Sequence, residues 1–174
     1  MSAQSCAGDF EQDALPHLNS AYNLARRLTR NDEDAEDIVQ EAYLRAFKSY
    51  HRFRGGDARP WLLKIVRNVS YTLLQKHSAQ QFAEFDDNLI TSDSSLRNPE
   101  EVLIQESNYV LVRRALSTLP TRFREMLTLR ELERLSYNEI STVMGVPVGT
   151  VMSTLSRARA RLRHSVTSFT KCQT

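Results

Sequence analysis

Apolar residues recur at steps of three and four over one segment of this chain after another, and that spacing admits little but α-helix. Val148, Val151, Leu155, Ala158 and Leu162 keep to it near the carboxyl end, and Leu15, Leu18, Tyr22, Ala25 and Leu28 near the amino end. A 3.6-residue turn gathers each set onto one face. β-Branched residues nowhere alternate with polar ones, as a half-buried strand requires. Helix breakers are scarce, with five Gly and five Pro in 174 residues. The expected fold is all-α. No run approaches the length of apolar residues that a membrane-spanning helix needs. The polar, then acidic start, MSAQSCAGDFEQD, lacks the pattern of a secretory signal, so a cytoplasmic protein is expected.

Punctuation divides the pattern. A first helix is predicted over residues 9–30 and a second from Asp32 to Tyr50, capped by Asn31 or Asp32. The acids of its first turns suit the positive end of the helix dipole. Ile38, Val39, Ala42, Tyr43, Ala46 and Phe47 form its expected buried stripe. The break HRFRGGDARP follows, where Gly55 and Gly56 permit backbone angles closed to other residues and Pro60 fits a helix start. A third helix is predicted over 59–76. Residues 78–100 lose the periodicity and are rich in Ser, Asp, Asn and Gln. So long a structureless stretch predicts a flexible linker between two small helical domains, residues 9–77 and 101–166. In the second, helices are predicted over 102–119 and 120–132. Ser136 and Glu139 have the spacing of a capping box, Gly145 suits a helix end, and Pro147 opens a last helix. Short helix, Gly turn and helix is a helix-turn-helix signature.

Charge is distributed in blocks. Residues 9–41 carry nine acids and three bases, whereas 45–76 carry eight bases and one acid. From 140 onward there are five bases and no acid. Local fields of opposite sign point to different partners, and two basic segments point to a polyanion touched at two places. Arg outnumbers Lys 19 to 4, which favours bidentate contact with phosphates and base edges.

Three faces follow from this. Asp34, Glu36, Asp37 and Glu41 make an acidic face on the second helix, fit to dock on a basic partner. From Tyr50 to Tyr71 aromatics interleave with bases, among them Arg52, Phe53, Arg54, Trp61 and Lys64. Aromatic rings stack on unpaired bases while Arg and Lys follow the backbone, which is chemistry for single-stranded or distorted DNA. Asn68 and Tyr71 lie one turn apart on the same helix. Opposite the apolar stripe of the last helix stand Thr150, Ser153, Thr154, Arg157 and Arg161, small then basic, as a major-groove reader needs.

The run DEDAEDIVQEAYLRAFKSYHRFRG (32–55), followed by PWLLKIVRN (60–68), resembles region 2 of bacterial RNA polymerase sigma factors. The run LPTRFREMLTLRELERLSYNEISTVMGVPVGTVMSTLSRARARLR (119–163) resembles their region 4. The two-part layout is similar to the extracytoplasmic-function (ECF, group IV) members of the sigma-70 family. The resemblance implies that Asp34, Glu36, Asp37, Gln40 and Glu41 bind the β′ clamp helices of core polymerase. It implies that Phe53 to Asp57, including Arg54 and Gly55, capture a base flipped from the −10 element. Trp61, Lys64, Asn68 and Tyr71 support that recognition, and flipping costs a few kcal/mol of lost stacking. Thr150, Ser153, Thr154 and Arg157 match positions facing the −35 element. Arg122, Arg124, Tyr137, Arg159 and Arg161 match phosphate contacts, which position the helix without reading sequence. Implied partners are core polymerase, through its β′ clamp and β flap, promoter DNA, and an anti-sigma factor, often membrane-anchored.

A helix-turn-helix regulator binding operator duplex alone would explain 119–163 but leave the first half idle. Two cysteines near opposite ends and four scattered histidines offer neither a disulfide framework nor zinc spacing, so no metal or cofactor is expected. There is no G-x-S-x-G, Walker loop or H-E-x-x-H, so neither catalysis nor a small-molecule substrate is expected.

Overall fold

The structure, a computed structural model, describes residues 3–84 and 108–171. Most of the expected linker, and the start of the helix predicted at Val102, lie outside the described residues. What is described is helical throughout. Helices α1 (Ala3–Ala14), α2 (Leu18–Thr29), α3 (Asp32–Ser49) and α4 (Ala58–Glu84) form the first half. Helices α5 (Asn108–Ser117), α6 (Thr121–Leu127), α7 (Tyr137–Met144) and α8 (Val148–Lys171) form the second.

The first predicted helix is two. Pro16 lies within it, and a proline inside a helix removes a hydrogen bond and crowds the preceding turn. The chain answers with a 3-10 turn over Leu15–His17 between α1 and α2. Leu15 and Leu18, placed by periodicity on the apolar face, are exposed as a result. The cap of α3 is Asn31, whose side chain accepts from the amides of Glu33 and Asp34 at 2.8 and 3.3 Å. Helix α4 runs on to Glu84, so residues 78–84, expected in the linker, are helical. The helix predicted over 120–132 instead ends at Leu127 and continues as a π-helical turn over Thr128–Leu132. The capping box of α7 is formed in both directions. Gly145 takes φ +66°, and both Gly55 and Gly56 are left-handed, as their turns require.

Helices α2, α3 and α4 pack on one another, and α6 and α7 each pack on α8. The halves do not stand apart: α4 lies against α7 and α2 against α6. Ala21, Leu28, Leu63 and Val66 join Leu119, Met126, Leu129 and Leu135 in one continuous apolar core. A smaller cluster of Phe10, Ala14, Ala46 and Leu62 seats α1 on α3 and α4.

Candidate protein-docking and nucleic-acid faces

Helix α3 turns its outer face to solvent. Glu36, Asp37 and Gln40 are exposed there. Asp34 and Glu41 sit on the margin: Asp34 is half-buried toward His77 of α4 at 3.9 Å, and Glu41 pairs with Arg45 at 2.6 Å. The face does not end with the acids. Continuing from Asp37 and Gln40 at steps of four and three, Leu44 and Phe47 are 57% and 50% exposed. Phe47, expected in the buried stripe, instead edges against Phe10 with ring centroids 5.3 Å apart. An acidic end running into an exposed apolar end fits a protein partner, because large apolar groups kept in water mark an interface. The signal was in the spacing, but charge alone had defined the face.

The turn between α3 and α4 gathers an aromatic wall. Phe53 lies between Tyr50, stacked at 5.8 Å, and Trp61 at 5.1 Å. Phe53 and Trp61 are half-buried, so each offers an edge to solvent while being held by its neighbours. Tyr50 is fixed from behind by its hydroxyl, which donates to Asp13 at 2.6 Å. It was noted in the sequence among the aromatics but not as a site residue. Arg52, Arg54, Gly55 and Asp57 are exposed around this wall, and the Asp57 carboxylate accepts from the amide of Arg59, so it also caps α4. Lys64 and Asn68 are exposed along α4. Tyr71 is not free: its hydroxyl donates to Glu125 of α6 at 3.0 Å, and burial with that carboxylate pushes it up to about 12.

Gly145, Val146 and Pro147 join α7 to α8 at the helix-turn-helix. The Ser141 hydroxyl tightens the turn by donating to the Val146 carbonyl at 2.5 Å. On α8, Ser153, Arg157 and Arg161 are exposed and Thr150 is half-exposed. Arg161 lies over the Phe123 ring at 5.2 Å. Arg122 is exposed on α6, and Tyr137 sits beneath Arg130 at 4.8 Å. Arg159 is held by Glu131 through two nitrogens at 2.7 and 3.1 Å.

Two residues of the expected DNA face point elsewhere. Thr154 is 6% exposed. It lies three residues after Val151 and four before Ala158, on the stripe that faces the core, and Met152 and Ser156 are exposed instead. Arg124 is also 6% exposed. Its guanidinium donates to the carbonyls of Ser117 and Leu119 and to the Thr121 hydroxyl at 3.1–3.3 Å, closing the α5–α6 corner from inside. Neither side chain reaches the surface.

Among the described residues no group of three His, Cys, Asp or Glu is placed to hold a metal, and no helix is long and apolar enough to cross a membrane.

Both halves of the chain are similar to known proteins. Residues 15–80 match the family described as Sigma-70 region 2, and residues 109–162 match Sigma-70, region 4. RNA polymerase sigma-H factor of Pseudomonas aeruginosa is 32% identical over 86% of this chain and 82% of its own length. ECF RNA polymerase sigma factor SigM of Bacillus subtilis is 31% identical over 84% of this chain and 88% of its own. ECF RNA polymerase sigma factor SigE of Mycolicibacterium smegmatis is 30% identical over 92% of this chain, which spans 62% of that relative's length. Among solved structures, the sigma factor RpoE in complex with the anti-sigma factor NepR from Bartonella quintana superposes with TM-score 0.72, 26% identity and 91% of this chain covered. CnrH in complex with the cytosolic domain of CnrY shares the fold at TM-score 0.65 and 23% identity.

Proposed function

The chain belongs to the sigma-70 family, among its extracytoplasmic-function members, and from that premise we propose that it binds core RNA polymerase and directs initiation at a particular promoter class. One observation carries the reading. A single chain holds an acidic–apolar docking face, an aromatic–basic turn and a helix-turn-helix, three surfaces that no duplex-only regulator needs together.

The division of labour follows from the chemistry of each face. The α3 face, with Glu36, Asp37 and Gln40 leading into Leu44 and Phe47, is offered to the β′ clamp helices. Acids steer the encounter with a basic surface, while the apolar end supplies affinity once water is excluded. The wall of Tyr50, Phe53 and Trp61 accepts an unstacked base of the −10 strand, and Arg52, Arg54 and Lys64 hold its backbone. Helix α8 enters the −35 major groove. There Thr150 and Ser153 permit close approach and Arg157 spans to a guanine. Arg122, Arg159 and Arg161 take phosphates.

The protein has no chemistry of its own in this scheme, since it positions DNA for the polymerase. Its relatives in solved complexes with anti-sigma factors support an anti-sigma partner for this chain too, one that covers these faces until a signal releases them. A membrane anchor on that partner would hold the pair at the inner membrane while the chain itself acts in the cytoplasm.

The test is transcription by core polymerase, with and without this chain, on a library of randomised promoters. Enrichment of one two-part sequence among the transcripts, only when the chain is present, is the expected result. Operator-like duplex binding without initiation would return the protein to the class of simple regulators.

A further inference from the structure

The outer face of α8 carries one large apolar side chain that nothing above uses. Met152 is 54% exposed, while Val151 and Leu155 beside it are buried in the core. At steps of three and four, Gly149, Met152, Ser153, Ser156, Arg157 and Ala160 share that face, and all are exposed. The glycine, the serines and the alanine make a low surface, from which Met152 and Arg157 stand out. Met152 is the fifth residue of α8, at the end from which a recognition helix reaches base edges. The Ser153 hydroxyl turns back onto the Thr150 carbonyl at 3.2 Å, which leaves Met152 the farther-reaching of the two. No other element comes within 4 Å of where a Cβ on Gly149 would stand, so the space in front of the helix start is open.

The charge around Met152 says what comes to occupy that space. Arg157 and Arg161 are exposed further along the helix, and Arg122 is exposed on α6. From residue 140 onward there is no acid at all. Such a surface attracts a polyanion and repels a basic protein. On the floor of a major groove the base edges are polar donors and acceptors, with one exception, the 5-methyl group of thymine. A methionine fits that group well, since its unbranched, polarisable side chain can follow a contour that a branched one cannot.

We propose that Met152 reads a thymine methyl in the −35 element, so that one base pair there is chosen by apolar contact and not by hydrogen bonding. The inference rests on the reading of α8 as the −35 helix. It divides the labour along one face: Arg157 selects a guanine through two hydrogen bonds, and Met152 selects a thymine by shape. The discrimination is small, because one buried methyl is worth about fourfold in affinity.

The experiment assembles the full chain with core polymerase on the promoter it selects. Each thymine of the −35 element, on either strand, is replaced in turn by deoxyuridine, which lacks only the methyl. One position is expected to raise the Kd of the holoenzyme–promoter complex about fourfold. Putting 5-methylcytosine in place of cytosine at that position should regain the same factor, since the methyl returns without the thymine O4. Met152→Ala should abolish the difference between thymine and deoxyuridine there, and Met152→Leu should keep it. An apolar contact releases no counterion, so the log–log salt slope of Met152→Ala stays parental. Its thermal stability and its affinity for core polymerase stay parental too, because the side chain lies in solvent. No position sensitive to the methyl, or sensitivity that persists in Met152→Ala, overturns the proposal. So does weaker binding of Met152→Ala to core polymerase, which would put the side chain on a protein. A parent chain that bound its selected duplex without initiating would sink the sigma-factor reading instead, and the methyl scan would then be read on that duplex, so the two failures stay distinct.

Discussion

Replacing Arg124 with alanine tests whether burial, and not charge, decides what an arginine does in the second half. Its guanidinium makes three hydrogen bonds, to the Ser117 and Leu119 carbonyls and the Thr121 hydroxyl. Bonds from a charged donor contribute about 1.5–3 kcal/mol each. These three are long, at 3.1–3.3 Å, and Ser117 is exposed enough for water to replace one partner. A net loss of about 3 kcal/mol is therefore expected for Arg124→Ala. In a chain of this size about 2–4 °C is lost per kcal/mol, which gives a Tm drop of about 6–12 °C. Differential scanning calorimetry reads that directly. The complementary measurement is the Kd of the holoenzyme–promoter complex as a function of salt. A buried arginine releases no counterion, so the log–log slope stays at the wild-type value. A slope smaller by about 0.9 with an unchanged Tm would show Arg124 on a phosphate and refute the reasoning.

Other expectations follow from the same geometry. Asp37→Arg reverses charge at the centre of the α3 face and should weaken binding to core polymerase at least tenfold without altering thermal stability, as titration of labelled chain with core would show; Phe47→Ala should weaken it as well, since the apolar end supplies affinity. Arg157→Ala should cost about 1–3 kcal/mol at one base pair of the −35 element and little elsewhere; equal loss across all single-base variants of that element would make it a phosphate contact. Thr154→Val, by contrast, should leave −35 preference unchanged, because the side chain faces the core. Ser136→Ala removes the cap of α7 and should cost about 1 kcal/mol. The Ser136 hydrogen bonds hold the Glu139 carboxyl below its usual range, so its contribution is present at neutral pH and fades as pH falls through that lowered value. The stability gap between wild type and Glu139→Gln, followed by denaturant unfolding, should therefore narrow in acid.

Local chemistry was legible because each signal is carried by one or two side chains. Asn31 capping α3, the box between Ser136 and Glu139, and the left-handed Gly55, Gly56 and Gly145 are all readable from residue type and spacing. Faces were legible only as far as periodicity discriminates. It marks which residues share a side of a helix, but not whether that side meets the core or a partner. Phe47 was placed by its spacing among core residues and is half exposed, whereas Thr154 has core spacing and is buried despite its hydroxyl. Thr154 could have been placed by counting from Val151 and Ala158, and its polarity argued the other way. Pro16 was a readable break that the apolar stripe around it outweighed.

Contacts between the halves were out of reach for a different reason. Arg67 and Glu125 are 58 residues apart, and Arg59 and Glu133 are 74 apart. Each residue alone reads as an ordinary charge on an amphipathic helix. Only the pairing gives them meaning, and pairing is a property of how two apolar faces register, not of either face. That same register decides which charged groups stay accessible. The residues that sequence assigns to DNA divide into those left in solvent, such as Lys64, Asn68, Arg157 and Arg161, and those spent on internal partners, such as Tyr71 with Glu125 and Arg159 with Glu131. A surface that must one day hold a polyanion carries excess positive charge that the isolated chain has to neutralise. Internal acids do so at the cost of accessibility, Glu125 across the halves for Arg67 and Glu131 within the second half for Arg159.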